Sequence, residues 1–134
     1  MTFVLQALED LEQRLITFDT QLPTQRNGDE RDAAAAMLTC VQELRRLVDE
    51  LPAARKNYVE AQDSEAQLAA QDALRRLIHD LRTPASVLYT YLRLIVSGIL
   101  FSKTGSAQRA EAAALVELVR EIRDQAKMEV GEVE

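Results

Sequence analysis

The sequence predicts an all-α fold built from antiparallel helical hairpins. Three observations indicate this fold: Leu, Ala, Glu, Arg and Gln are abundant, aromatic residues make up only 4% of the chain, and apolar residues recur every three or four positions. Straight-chain residues and alanine lose little conformational freedom in a helix, whereas the β-branched and aromatic residues that favour sheets are sparse. With 134 residues, of which 47% are hydrophobic, the chain is long enough to bury an aliphatic core.

The first half of the chain contains two predicted helices. Helix one covers about residues 2–22 and ends before Pro23. Its apolar stripe consists of Val4, Leu8, Leu11, Leu15, Phe18 and Leu22. Asp29 is the predicted N-cap of helix two, which starts near Glu30 after a turn that contains Asn27 and Gly28.

Helix two carries a second narrow apolar stripe, which predicts that it packs antiparallel against helix one as a hairpin. This stripe consists of Met37, Val41, Leu44, Val48 and Leu51. Pro52 has no backbone N–H to donate, so it either ends helix two or starts a new helical piece at its first turn.

The second half of the chain contains two more predicted helices. Ser64 and Gln67 have the form of a capping box, which would begin helix three near residue 65. Helix three is predicted to continue through Pro84 with a kink, because the apolar spacing persists on both sides of that proline. The stripe consists of Leu74, Ile78, Leu81, Ala85, Leu88, Leu92, Ile95 and Ile99.

A turn at residues 102–106 separates helix three from helix four, which is predicted at about residues 107–129 with Ser106 as its N-cap. The chain is thereby divided into an N-terminal hairpin of unknown role, residues 1–64, and a second hairpin, residues 65–134.

Charge and composition exclude several classes of function. A net charge of −6 argues against a nucleic-acid partner, which would need a basic face to displace the counterions of phosphates. The most apolar stretch, residues 87–101, is shorter than the roughly twenty residues that cross a bilayer, and the N-terminus does not resemble a signal peptide. Cys40, the single cysteine, excludes an internal disulfide and is interpreted as core packing in a reducing compartment. We expect a cytoplasmic protein without membrane insertion.

Cofactor chemistry is not expected either. One histidine and one cysteine far apart in sequence provide no zinc-ligand cluster, and isolated glycines do not form a nucleotide-binding loop. We therefore predict neither a metal nor a cofactor.

His79, the only histidine, lies among leucine, isoleucine and charged residues. At about 100° per residue, it lies about 130° from the centre of the Ile78/Leu81 seam, which directs the imidazole towards solvent. A neutral imidazole is nucleophilic near pH 7 and can carry a phosphoryl group. Arginines 75, 76 and 82 could neutralise charge on that group. Considered alone, an exposed histidine on a charged helix is usually a passive surface residue.

The run HDLRTP, residues 79–84, favours a functional role for His79 over a passive one. It resembles the H-box of the dimerisation and phosphotransfer domain of sensor histidine kinases. The resemblance covers about residues 65–129, and its sharp motif is confined to residues 79–84. In that family the histidine lies on the first helix of an antiparallel hairpin, and two hairpins associate as a four-helix bundle.

The resemblance also implies roles for individual residues. His79 would be the phosphoacceptor and Asp80 the acidic neighbour that assists transfer, while Arg82 and Pro84 would shape the site. Kinases of this family that also dephosphorylate their response regulators use an acidic residue after the histidine and a threonine or asparagine three positions later. Asp80 and Thr83 match that pattern, so Thr83 would orient the attacking water.

Only five residues of the sequence follow helix four, which is too few for the ATP-binding domain of the family, so autophosphorylation from ATP is not expected. The chain then resembles stand-alone histidine phosphotransferases, whose partner is a response-regulator receiver domain. One alternative is a non-catalytic mimic whose hairpin binds a receiver domain or a histidine kinase. Another is a response-regulator phosphatase that uses Asp80 and Thr83.

A homodimer is expected, because helix three carries apolar residues around most of its circumference, more than one antiparallel neighbour can cover. The two hairpins of the dimer would together form a four-helix bundle. The N-terminal hairpin could instead cover this surface within the same chain, which would give a monomeric four-helix bundle.

Overall fold

The computed structural model describes the backbone of residues 2–131, with the side chains of residue 4 and of residues 6–128, and this part of the chain is all-α. Its four helices are α1 (Thr2–Gln21), α2 (Gly28–Glu60), α3 (Ser64–Val96) and α4 (Ser106–Gly131). The predicted fold class is therefore confirmed, as are the number and order of the helices.

The four helices close into a bundle within one chain. α2 packs against α3 and α3 packs against α4, while α1 contacts both α2 and α4, so α1 and α3 lie on a diagonal. Short connections make the sequence neighbours antiparallel. One hydrophobic core draws on all four helices and covers the seam of α3, where Leu88, Leu92 and Ile95 are fully buried. The chain itself thus covers the centre of the surface from which a dimer was predicted, while the apolar residues that flank it stay half-buried. The oligomeric state stays a prediction.

The connection from α1 to α2 differs from the prediction in its cap. Asn27, and not Asp29, caps α2: its side-chain oxygen accepts from the backbone N–H of Glu30 at 2.8 Å. The Glu30 carboxylate in turn accepts from the backbone N–H of Asn27 at 3.0 Å, which completes a capping box. The other oxygen of Glu30 accepts from the backbone N–H of Phe101 at 2.7 Å. This carboxylate therefore joins the loop after α1 to the loop after α3.

Pro52 neither ends α2 nor begins a separate piece, because α2 continues through it to Glu60. A proline in a helix interior costs about 3 kcal/mol, since it removes one hydrogen bond and crowds the preceding turn. Packing offsets this cost: Leu51 is buried immediately before the proline, and Ala54 and Tyr58 pack against the core beyond it. The two alternatives left open for Pro52 were both wrong.

α3 begins where predicted but is capped by a different residue. The side chain of Asp63 accepts from the backbone N–H of Ala66 at 2.7 Å, so Asp63 and not Ser64 is the N-cap. The helix then continues without interruption through Pro84, as the apolar spacing predicted. Pro84 itself is buried.

The end of α3 comes earlier than predicted. Gly98 adopts a positive φ of 80°, and its N–H donates to Ile95 while the N–H of Ile99 donates to Leu94. These two bonds form a Schellman motif, which stops the helix at a glycine. Ile99 is consequently 71% exposed, so its assignment to the buried stripe was wrong, and Phe101 is buried in its place.

α4 begins at Ser106, close to the predicted start. The N–H of Arg109 donates to the carbonyl of Gly105 at 3.0 Å, which makes Gly105 the N-cap residue instead of Ser106. The predicted stripe of α4 is confirmed, and its members are buried: Ala112, Leu115, Val119, Ile122 and Ala126.

Candidate functional site

His79 lies in the middle of α3 with its side chain exposed, as its angle from the seam predicted. The rotation of the helix is fixed by buried residues on either side, because Leu74 and Leu81 are at most 5% exposed and pack into the core. A residue about 130° away from the centre of such a seam faces outward. The fold therefore presents this imidazole on a rigid element and not on a loop.

The other predicted site residues, Asp80, Arg82 and Thr83, are exposed as well. Thr83 follows His79 by four positions, so the two side chains are neighbours on the outer face of α3. Asp80 and Arg82 diverge from this face, one towards α2 and the other towards α4. The structure thus brings His79 and Thr83 together and separates Asp80 from Arg82.

Asp80 lies on the α2 side, within electrostatic range of Arg46. The pKa of the Arg46 guanidinium is raised, first by its hydrogen bond to Glu43, and further by the charges of Glu43, Glu50 and Asp80. Arg46 also forms ion pairs with Glu43 and Glu50 on its own helix. In the described part of the chain, no hydrogen bond joins Asp80 to the His79 ring. Asp80 therefore belongs to a charge cluster shared with α2.

Arg82 lies at the edge of a groove of about 310 Å³ between α3 and α4. His79, Arg82 and Ser86 follow one another at i, i+3 and i+7, which places them on one strip of the helix surface. Arg82 and Ser86 both line the groove, whereas His79 lies one turn before Arg82 and outside the lining. The complete lining is Ile78, Leu81, Arg82 and Ser86 from α3, with Arg123, Asp124, Ala126 and Lys127 from α4.

The groove is cationic although the protein is acidic. Arg82, Arg123 and Lys127 contribute three positive charges, and Asp124 contributes one negative charge. Arg123 contacts Asp124 at 3.5 Å, but their side chains are 44% and 61% exposed, so water screens this pair. Arg82 and Lys127 form no ion pair with any residue whose side chain the structure describes. Two cations of this groove are thus available to an anion.

Sequence reasoning missed Arg123 and Lys127, because they lie more than forty residues after His79 and resemble an ordinary solvated face. Their spacing of four positions on α4 showed that they share a face, but only the packing of α4 shows which helix that face meets. Arg75 and Arg76, which the sequence placed near His79, do not line this groove, and Arg75 already has an interaction partner within the chain.

Pro84 adds a backbone feature to the site. Because proline has no N–H, the carbonyl oxygen of Asp80 has no donor at the position where the helical hydrogen bond would form. This acceptor lies one residue after His79.

Other chemistries find less support in residues 2–131. No group of three His, Cys, Asp or Glu side chains in the described part of the chain is arranged to hold a metal ion. Burial raises the pKa of the Cys40 thiol, which keeps it protonated and weakly nucleophilic at neutral pH, and the residue packs against the core. None of the helices described has the length and apolar character needed to cross a membrane.

Comparison with known proteins gave no match to a protein-family model, to a curated protein or to a solved structure.

Proposed function

We propose that the chain is a histidine phosphotransfer protein of two-component signalling, which relays a phosphoryl group to or from a receiver-domain aspartate through His79. The observation that supports this most directly is the exposed imidazole at the first position of the HDLRTP run, on a helix whose opposite face is buried. A docking protein can reach such a ring without unfolding any part of the bundle. We place this relay in the cytoplasm.

The transfer step uses only the imidazole of this chain as nucleophile. The lone pair of one ring nitrogen attacks the phosphorus of the receiver's aspartyl phosphate, and a N–P bond forms as the P–O bond breaks. The aspartate carboxylate leaves with the electron pair of that bond, while the proton already on the other ring nitrogen stays there. No base has to remove a proton during transfer, which is consistent with the position of Asp80 on the α2 side.

Neighbouring residues assist by charge and by position. Arg82, one helical turn after His79, stabilises negative charge that accumulates on the phosphoryl oxygens during transfer. Thr83 lies beside His79 and can hold a water molecule or the incoming phosphoryl group by its hydroxyl. Both residues come from α3, so one chain supplies the complete set. A homodimer would have to use a surface outside the closed core.

The decisive experiment mixes the full chain with receiver domains that carry a radiolabelled aspartyl phosphate. We expect label to move onto the wild-type chain as an acid-labile, alkali-stable phosphohistidine and to be absent from His79→Gln. Lys103→Gln, which changes an exposed lysine in the loop after α3, is the matched control and should be labelled like the wild type. Label that reaches His79→Gln as readily as the wild type would overturn the proposal.

The same mixture separates the two other functions. Thr83 shares the exposed face of His79, which keeps a phosphatase among the candidates. Loss of receiver label that requires Thr83 but not His79, tested with Thr83→Ala, would identify the phosphatase. Binding of the receiver without label transfer or label loss, in the wild type and in both variants, would identify the non-catalytic mimic.

A further inference from the structure

We propose that the groove between α3 and α4 is an anion subsite that binds the phosphoryl group carried by His79 through Arg82, Arg123 and Lys127. This inference rests on the proposed function, because it names the ligand chemistry of the same site. It assigns α4 a direct part in the reaction, although the sequence motif lies entirely in α3.

Geometry places the cations within reach of the ring. Arg82 is one turn from His79 on the same strip of α3, where side chains at this spacing have Cβ atoms about 5–6 Å apart. Arg123 and Lys127, four positions apart, face the groove from α4, and packed helices have axes about 8–10 Å apart. Long guanidinium and ammonium side chains span such a gap. A phosphoryl group on the imidazole therefore has cations on two sides.

The charge pattern selects this side of α3 over the other. On the α2 side, Arg46 is engaged by Glu43 and Glu50, and Asp80 adds a further negative charge near His79. On the α4 side, Arg82 and Lys127 have no ion-pair partner among the side chains described, and Arg123 has only the exposed Asp124. A dianionic phosphoryl group is therefore repelled on one side of His79 and attracted on the other.

The groove also has the right size and lining. A volume of about 310 Å³ accommodates a tetrahedral phosphate with room for bridging water, and Ser86 supplies a hydroxyl at its edge. Its floor is apolar, formed by Leu81 and Ala126, which are at most 5% exposed. Low solvent access on one side strengthens the attraction between the cations and the phosphoryl oxygens.

The test uses the full chain and phosphoramidate, a small donor that needs no docking partner. The His79 nitrogen attacks the phosphorus, the donor's P–N bond breaks, and ammonia leaves. We expect the double variant Arg123→Gln/Lys127→Gln to be labelled about 5-fold more slowly than the wild type, because two charge-assisted contacts at an exposed site are lost. The charge-preserving pair Arg123→Lys/Lys127→Arg should retain the wild-type rate. Lys103→Gln, an exposed lysine at the other end of the bundle, is the matched control.

Two further readouts separate charge from a general structural effect. Rising salt should slow labelling of the wild type more steeply than labelling of the double glutamine variant, because the wild type has two more cations that salt screens. Inorganic phosphate, added to the ¹⁵N-labelled chain, should shift amide signals of residues 78–86 and 123–127 before others, and this preference should vanish in the double variant. These arms distinguish a phosphoryl group on His79 from free phosphate.

Equal labelling rates and equal salt dependence in the wild type and the double glutamine variant would overturn the anion subsite. Phosphate shifts spread evenly over the surface would overturn it too. The proposed function would survive both results if a phosphorylated receiver still labels His79. Conversely, the groove could bind phosphate and accelerate labelling by phosphoramidate while no receiver domain labels the chain. That result would support the anion subsite and contradict the proposed phosphotransfer function.

Discussion

Consecutive residues around His79 point in directions about 100° apart, and this simple angle decides which of them act together. His79 and Thr83, four positions apart, share the outer face of α3. Asp80 is turned towards Arg46 on α2, whereas Arg82 is turned towards the groove with α4. The four residues of the motif therefore divide into an outward pair and two flanking charges of opposite sign.

This division predicts a small effect for Asp80→Asn on labelling of His79 by phosphoramidate. A general base that removes a proton typically contributes about 10²- to 10⁴-fold to a rate. Because the Asp80 carboxylate lies on the α2 side and attack needs only a nitrogen lone pair, we expect less than about a 3-fold change, consistent with an exposed charge acting at a distance. The labelling rate, followed by phosphorus NMR, gives the answer. A loss of two orders of magnitude would place Asp80 in direct contact with the ring.

At the scale of the helices, apolar periodicity predicted the buried face of each helix. It did not predict the residues that cap the helices or the contacts between the loops. Apart from Ile99, which is exposed, and Ile78, which is half-buried, the apolar stripes of the four helices were confirmed as core, because each stripe is repeated over several turns of its helix. The caps were assigned wrongly for α2, α3 and α4, since each depends on one backbone geometry that neighbouring Asn, Asp, Ser or Gly residues can all adopt. The second bond of Glu30, to Phe101, was beyond prediction because it joins loops far apart in sequence.

The two helical prolines give a matched prediction of stability. Pro52 is exposed, so Pro52→Ala should restore a hydrogen bond to Val48 without leaving a cavity, and raise the free energy of unfolding by about 1–3 kcal/mol. Pro84 is buried, so Pro84→Ala regains a bond to Asp80 but loses packing, and we expect a smaller gain or a net loss. Urea titration of both variants provides the comparison. A less stable Pro52→Ala would contradict the continuous α2 helix.

For the whole molecule, the net charge and the charge of the groove between α3 and α4 have opposite signs. A chain with a net charge of −6 repels anions at long range, yet the α3–α4 groove collects cations, two of which have no ion-pair partner in the described part of the chain. Sequence reasoning located the imidazole from one helix alone, but could not place Arg123 and Lys127 in a groove with Arg82. Their position depends on the register of α4 against α3, which only the packed bundle fixes. We therefore propose that the groove, and not the overall field of the protein, attracts an anionic partner.

The closed core makes a final prediction about the folding unit. If folding required a second copy, the melting temperature would rise with protein concentration, because association stabilises the folded state by mass action. Leu88, Leu92 and Ile95 of α3 are instead buried by helices of the same chain. We therefore expect the melting temperature to change by less than about 2 °C over a roughly 100-fold range of concentration. Sedimentation at the same concentrations supplies the mass, since two independently folded chains could still associate through their outer surfaces. A steady rise in melting temperature with concentration would show that the apolar seam of α3 is buried between two copies. The four-helix bundle would then consist of one hairpin from each copy.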